Sequence, residues 1–176
     1  SGETAYGKYP VEAIKMLDSV SRETERYMMK FDRNFAASDY KFLKGDITSA
    51  IAYSAYNAAN SLKAKAIVCF TATGQTASVM SKFRAVCPVI AASFNEQTLR
   101  RVSLYFGVRP LRIEMKESTD EILYEIENAL ISSQFKEGDL MVLTIGLPLV
   151  SQGNTNMLKV HKLGGYLPFK AHNLPK

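Results

Sequence analysis

The feature that most limits what this chain can fold into is a strict alternation that begins at Ala64. Four short apolar runs, "AKAIVCF", "PVIAAS", "VRPLRIEM" and "GDLMVLTIG", are separated by polar turns and by stretches with helical spacing. The helical stretches are "ASVMSKF", "EQTLRRVSLYF" and "TDEILYEIENALISSQF". Unbroken apolar runs of this length do not suit a sheet with one wet face; they suit strands covered on both sides. Strand–helix repeats with such strands imply a parallel sheet, and the handedness of crossovers makes it an open one. After the fourth run comes "LPLVSQGN", too short for a crossover helix, and then the alternating "TNMLKVHKL". That fifth strand is therefore expected antiparallel, at an edge. The expected fold is α/β: a small open, mostly parallel sheet of about five strands with helices on both faces.

Local signals place the helix ends. Asp46 and Thr48 offer caps for "TSAIAYSAYNAANSLK", and Asn95 offers one for the helix that follows it. Ser118 and Glu121 have the spacing of a capping box. Gly107 is suited to the left-handed conformation that ends a helix. Pro110 demotes the third strand from a central position. Upstream, Pro10 fits a first helical turn, and Val11, Ile14, Leu17, Met28 and Phe31 recur at helical spacing, which predicts one long amphipathic helix from Pro10 to Lys30. "FDRNFAASDYKFLKGD" loses the period and connects two bodies of structure.

Composition narrows function mainly by exclusion. With 47% hydrophobic and 22% charged residues, the 176-residue chain has the make-up of a globular domain. No apolar run reaches the roughly 20 residues a membrane helix needs. The net charge of +5 comes from scattered basic residues without an aromatic ladder, so no nucleic-acid partner is expected. Cys69 and Cys87 sit in apolar surroundings, as reduced thiols of an intracellular protein would. His161 and His172 are the only histidines, and no Cys/His spacing fits a metal. No Ser-His-Asp or Cys-His arrangement is visible, so no catalytic residue is assigned.

Ligands of open α/β sheets bind beyond the carboxyl ends of the strands. Two loops emerge there with suitable chemistry. "TATGQT" brings Thr71, Thr73, Gly74, Gln75 and Thr76 to the start of a helix, where free N–H groups favour an anion. Two readings stand side by side: a phosphate cradle, or threonines that merely cap the helix. A Walker A loop is excluded, because Gly74 to Lys82 reads GQTASVMSK without a second glycine before the lysine. The other loop spans Gly146 to Asn154, with Gly146, Gln152, Gly153 and Asn154 as its candidate contacts, and it reads equally as a plain connection. Lys82 and Arg84 are further candidates for phosphate oxygens, or solvated surface residues.

Four separated motifs, in order, resemble one family. "SGETAYGKYPVEAIKML" is similar to the pyruvate kinase segment that ends the catalytic (β/α)-barrel. "KAIVCFTATGQTASVMSKFRAVCPVIA" resembles the start of that family's C-terminal domain. "NEQTLRRVSLYFGVRPL" and "GDLMVLTIGLPLVSQGNTNMLKVH" resemble its bacterial-type members. The resemblance implies that residues 1–31 are the last turn and helix of the barrel, 32–45 a linker, 46–165 the C-terminal α/β domain and 166–176 a tail. It implies a parent enzyme of the cytoplasm that transfers a phosphoryl group from phosphoenolpyruvate to ADP with Mg²⁺ and K⁺, and whose transferring residues lie outside this chain. This chain would then bind a phosphorylated effector on residues 71–76 and 146–154 and help form a homotetramer; the alternative is a purely structural oligomerisation domain. Where eukaryotic members responsive to a bisphosphate sugar place Trp and Arg, this sequence has Ser118 and Glu125. A carboxylate repels phosphate, so the resemblance points to a sugar monophosphate or nucleoside monophosphate. Val150 stands where bacterial relatives carry glycine.

Overall fold

The computed structural model describes residues 1–30, 46–116, 118–147 and 155–165. The chain divides into two compact units, Ser1–Lys41 and Phe42–Lys176. The first holds α1 (Gly2–Tyr6) and α2 (Pro10–Lys30). Their junction is fixed by Glu3, whose carboxylate accepts the Tyr9 N–H at 2.6 Å. A side chain at Gly7 would meet that carboxyl group, so a larger residue there would have to displace the Glu3 carboxylate from the Tyr9 N–H. The predicted bounds of the long helix agree with the observed ones.

The second unit contains α3 (Ile47–Leu62), β1 (Ala66–Phe70), α4 (Gln75–Lys82), β2 (Val89–Ser93), α5 (Glu96–Val102), β3 (Val108–Arg112), α6 (Thr119–Ser133), β4 (Leu140–Ile145) and β5 (Met157–Lys162). The five strands run in the order β3-β2-β1-β4-β5. β1 pairs in parallel with β2 and β4, β2 pairs in parallel with β3, and β5 is antiparallel to β4. The expected fold class is thus the observed one, with Pro110 on the edge strand β3, where its missing N–H costs no ladder bond.

Alternate residues of each strand serve opposite faces. Ala66, Val68 and Phe70 of β1, Ile90 and Ala92 of β2, and Met141, Leu143 and Ile145 of β4 form one core with Ile122, Leu123, Ile126 and Leu130 of α6. The intervening residues, including Ile67, Cys69, Val89, Ala91 and Val142, are also buried. They lie on the face where α3 packs on β1 and β4 and α4 packs on β1 and β2. Each fully buried Ile, Leu or Val on these faces stabilises the fold by roughly 1.5–3 kcal/mol relative to exposure. Small residues let α3 approach closely: Ala52 and Ala55 are wholly buried. Tyr56 of α3 stacks on Phe83, centroids 5.3 Å apart.

The ends of the helices follow the predicted chemistry with two differences. Asp46 caps α3, its carboxylate accepting both the N–H and the Oγ–H of Ser49 at 2.8 Å. Thr48 is instead buried in the first turn. Asn95 Oδ1 accepts from the N–H groups of Gln97 and Thr98, and Ser118 Oγ from that of Glu121. The helix α5 stops at Val102 rather than running to Phe106. Gly107 does adopt a positive φ of 69°, but it leads into β3, with its carbonyl accepting the Val89 N–H. Cys69 and Cys87 are free thiols. Burial pushes the Cys69 thiol up to about 12 and raises that of Cys87 as well. At the far end of β5, the buried Glu127 of α6 bonds His161 Nε2 and accepts the Gly164 N–H at 2.9 Å, tying the strand's exit to the helix.

Candidate functional site

The strand order reverses at β1: the chain proceeds from β1 outward through β2 to β3, then returns to place β4 on the other side. The crevice between the carboxyl ends of β1 and β4 is the point where open α/β sheets accept ligands. Residues 71–76 leave β1 there, and Gly146 leaves β4. Topology alone therefore brings the first loop and the start of the second to one crevice.

Within the first loop, Thr71 and Thr76 are buried and Thr73 and Gln75 are exposed. The Thr71 hydroxyl accepts the N–H of Gly74 at 2.9 Å, which closes the turn from inside. Gly74 is the N-cap of α4 with φ 84°, so no side chain caps this helix. Among the described residues, the N–H groups of Gln75, Thr76 and Ala77 have no hydrogen-bond partner. An uncapped first turn opening on this crevice presents donors and positive potential that suit an anion. The threonines thus divide their work. Thr71 shapes the loop, whereas Thr73 stands at its surface.

Helix α5 supports this loop from behind. Thr98 Oγ1 donates to the Ala72 carbonyl at 2.8 Å, and an Arg101 guanidinium nitrogen to that of Thr73 at 3.4 Å. A Cβ placed on Gly74 would lie 3.1 Å from a Val102 methyl. Two loop carbonyls are thereby turned away from the crevice and fixed, which favours the amides facing it. The sequence does not single out Thr98 or Arg101. Their only signal is position in and after the turn capped by Asn95.

The second loop is anchored at both of its described ends. Thr76 Oγ1 lies 2.6 Å from Thr155 Oγ1, both buried, which joins the first turn of α4 to the residue before Asn156 and β5. The Asn156 side chain then clasps Leu147: its Oδ1 accepts the Leu147 N–H at 2.9 Å, and its Nδ2 donates to the Leu147 carbonyl at 2.6 Å. Thr155 and Asn156 are the pair that sequence reasoning passes over, although they end the motif "GLPLVSQGNTN". Gln152, Gly153 and Asn154, together with Val150, lie outside the described residues, as do the linker 32–45 and the tail 166–176. Thr144, buried near the end of β4 in register with Cys69, keeps a hydroxyl without a partner among the described residues.

Lys82 and Arg84 are not brought to this crevice by α4. The helix carries them to its other end, about 10 Å away along the axis. There the Arg84 guanidinium lies 4.6 Å from the centre of the Phe106 ring, and Ser81 Oγ donates to the Phe106 carbonyl. Glu125 is turned onto the main chain, accepting the Glu114 N–H, with Lys116 Nζ at 3.7 Å. Among the described residues no group of three His, Cys, Asp or Glu side chains has the disposition of a metal site, and no helix is long and apolar enough to cross a membrane.

Fold and crevice together define an open α/β domain wound in both directions from its first strand. Residues 49–161 match the family model described as pyruvate kinase, alpha/beta domain. The chain belongs to the pyruvate kinase family. It is 36% identical over 176 residues to the pyruvate kinase of Sporosarcina psychrophila and 37% identical over 168 residues to that of Geobacillus stearothermophilus. The match covers 95% of this chain and 28% of each relative. A Staphylococcus epidermidis pyruvate kinase is 36% identical over 173 residues. The chain therefore spans a little over a quarter of the length of these relatives.

Proposed function

We propose that this α/β domain is the effector-binding part of a pyruvate kinase, and that it holds the phosphoryl group of a small metabolite on the first turn of α4. The observation that carries this reading is the uncapped helix start at the β1/β4 crevice, where Gly74 replaces a capping side chain and Thr98 and Arg101 restrain the loop carbonyls. Gln75, Thr76 and Ala77 supply main-chain donors, and Thr73 supplies an exposed hydroxyl. The loop 146–154, bounded by Thr155 and the Asn156–Leu147 clasp, would contribute Gly146, Gln152, Gly153 and Asn154. The ligand is a sugar monophosphate or nucleoside monophosphate, since by resemblance Glu125 stands in sequence where members responsive to a bisphosphate sugar carry a cation for the second phosphate.

In this reading the whole enzyme, a cytoplasmic homotetramer, transfers the phosphoryl group of phosphoenolpyruvate to ADP with Mg²⁺ and K⁺. The residues that perform the transfer lie outside this chain, and binding here biases that distant site through differential affinity for two states. Isothermal titration of the chain with sugar monophosphates and nucleoside monophosphates tests the binding. The expected result is saturable heat, with affinity weakened by about 1–3 kcal/mol per hydrogen bond lost in Thr73→Ala combined with Gln75→Pro, which removes one hydroxyl and one amide donor. Absence of heat with every ligand would defeat the effector reading.

A second reading, a purely structural oligomerisation domain, is favoured by one observation: β5 is an edge strand with Val160 43% exposed. Edge strands are templates for pairing. Sedimentation that shows concentration-dependent dimers unaffected by any phosphorylated ligand would select it.

A further inference from the structure

At the opposite ends of the strands, the second unit carries a groove of about 520 Å³ that the proposed function does not use. Its walls come from the amino ends of the sheet. Lys65 and Pro88 immediately precede β1 and β2, Asp139 precedes β4, and Arg109 is the second residue of β3. The turn after α6 closes it with Phe135 and Lys136.

The groove carries a net positive charge. Lys65, Arg109 and Lys136 contribute three positive charges and Asp139 one negative charge, leaving +2 (3 − 1). Among the described residues none of the three cations is in an ion pair. Asp139 is occupied differently: its carboxylate accepts the main-chain N–H of Lys136 at 3.0 Å. The negative end of α6 would also attract cations. Yet no basic residue lies in its last turn, and Arg109 donates to the Gln134 side-chain Oε1 at 2.7 Å rather than to a helix carbonyl. Like charges gathered in one groove repel one another unless an anion joins them.

The groove is also built rather than incidental. The turn from Lys136 to Asp139 is closed in both directions, by Lys136 N–H to the Asp139 carboxylate and Asp139 N–H to the Lys136 carbonyl at 3.1 Å. Gly138, at φ 91°, lets it bend, and its N–H bonds the Leu163 carbonyl. The Lys65 N–H bonds the Leu140 carbonyl at 2.7 Å, and the Pro88 carbonyl accepts the Ile67 N–H. Gln134 engages one guanidinium nitrogen and orients the rest of the fork. A planar fork sharing one groove with two ammonium groups has the chemistry that recognises phosphate. Half-buried Phe135 and Pro88 supply an apolar wall, and the volume lies in the range of small-molecule sites.

We propose that this groove is a second anion site, for a phosphomonoester dianion with a flat or apolar body set against Phe135. It lies at the amino ends of the strands, so it is separate from the α4 crevice and stands whether or not that crevice binds an effector. The test is an amide NMR titration of the whole chain with phenyl phosphate, with inorganic phosphate as the charge-only comparison. Saturable shifts are expected at Lys65, Arg109, Lys136 and the Gln134 side-chain amide, with phenyl phosphate at least threefold tighter than inorganic phosphate. Lys65→Gln with Arg109→Gln is expected to weaken binding at least tenfold while leaving the remaining spectrum in place. If the double variant loses its folded spectrum, Arg109→Gln alone carries the comparison and is expected to weaken binding at least threefold. Shifts confined to residues 73–77, equal affinity in the folded variants, or no saturation at the groove amides would each overturn the proposal.

Discussion

Replacing Gly74 by alanine probes the crevice at the residue where backbone and packing requirements coincide. Its φ of 84° lies where an L-residue is strained, a cost of about 1 kcal/mol or slightly more. The new Cβ would also stand 3.1 Å from a Val102 methyl and 3.5 Å from the Thr98 methyl. Val102 is fully buried and has little room to retreat, so crowding adds about another 1 kcal/mol. The sum, about 2 kcal/mol, corresponds to a loss of roughly 6–10 °C in Tm for a domain of this size. Gly107→Ala supplies the control. It has a similar φ of 69° but nothing within 4 Å of the added Cβ, so only the backbone cost of about 1 kcal/mol applies. Urea unfolding followed by circular dichroism on the two variants separates the contributions. Equal destabilisation of both would show that α5 does not press on the loop, and an unperturbed Gly74→Ala would refute the strained turn altogether.

Other substitutions test other contacts. Thr76→Val and Thr155→Val are each expected to cost about 1–3 kcal/mol by stranding a buried hydroxyl, whereas the double variant costs about 1 kcal/mol less than the sum; a double-mutant cycle in urea reads this directly. Asp46→Ala should lower the thermal midpoint at neutral pH by removing the α3 cap. Because hydrogen bonds from Ser49 hold the Asp46 carboxyl below its ordinary value, this contribution is fully present above the unfolded aspartate range. It fades as pH falls through the lowered native value, so wild type and variant should converge in acid melts. With a thiol reagent at pH 8, Cys87 should react in the native protein and Cys69 only on unfolding, since burial holds the latter's thiol near 12.

The order of elements was legible because period and length agree along the chain. Buried strands such as Ala66–Phe70 and Val89–Ser93 are unbroken apolar runs, and Asn95 and Ser118 are caps whose side chains have few other uses. The end of α5 was not legible, because Leu104 and Phe106 continue a helical period although Leu104 is 86% exposed. For the crevice, sequence located the loop but not the division of labour inside it. Whether a threonine hydroxyl faces a ligand or its own backbone depends on packing from α5, which is distant in sequence. The same holds for Thr76 with Thr155, 79 positions apart. Lys82 and Arg84 show the converse: nearness in sequence to a loop becomes distance once a helix intervenes.

The clasp of Asn156 on Leu147 has a consequence for how such a domain changes over generations. By sealing the junction where β4 ends and β5 begins, it insulates the ladder from whatever happens in residues 148–154. Insertions, deletions and new chemistry in that stretch can be sampled without sliding one strand past the other, so the loop is free to drift while the scaffold stays put. Asn156 itself enjoys no such freedom: an aspartate there loses the donor, a leucine loses both bonds, and either would hand the variability of the loop to the sheet.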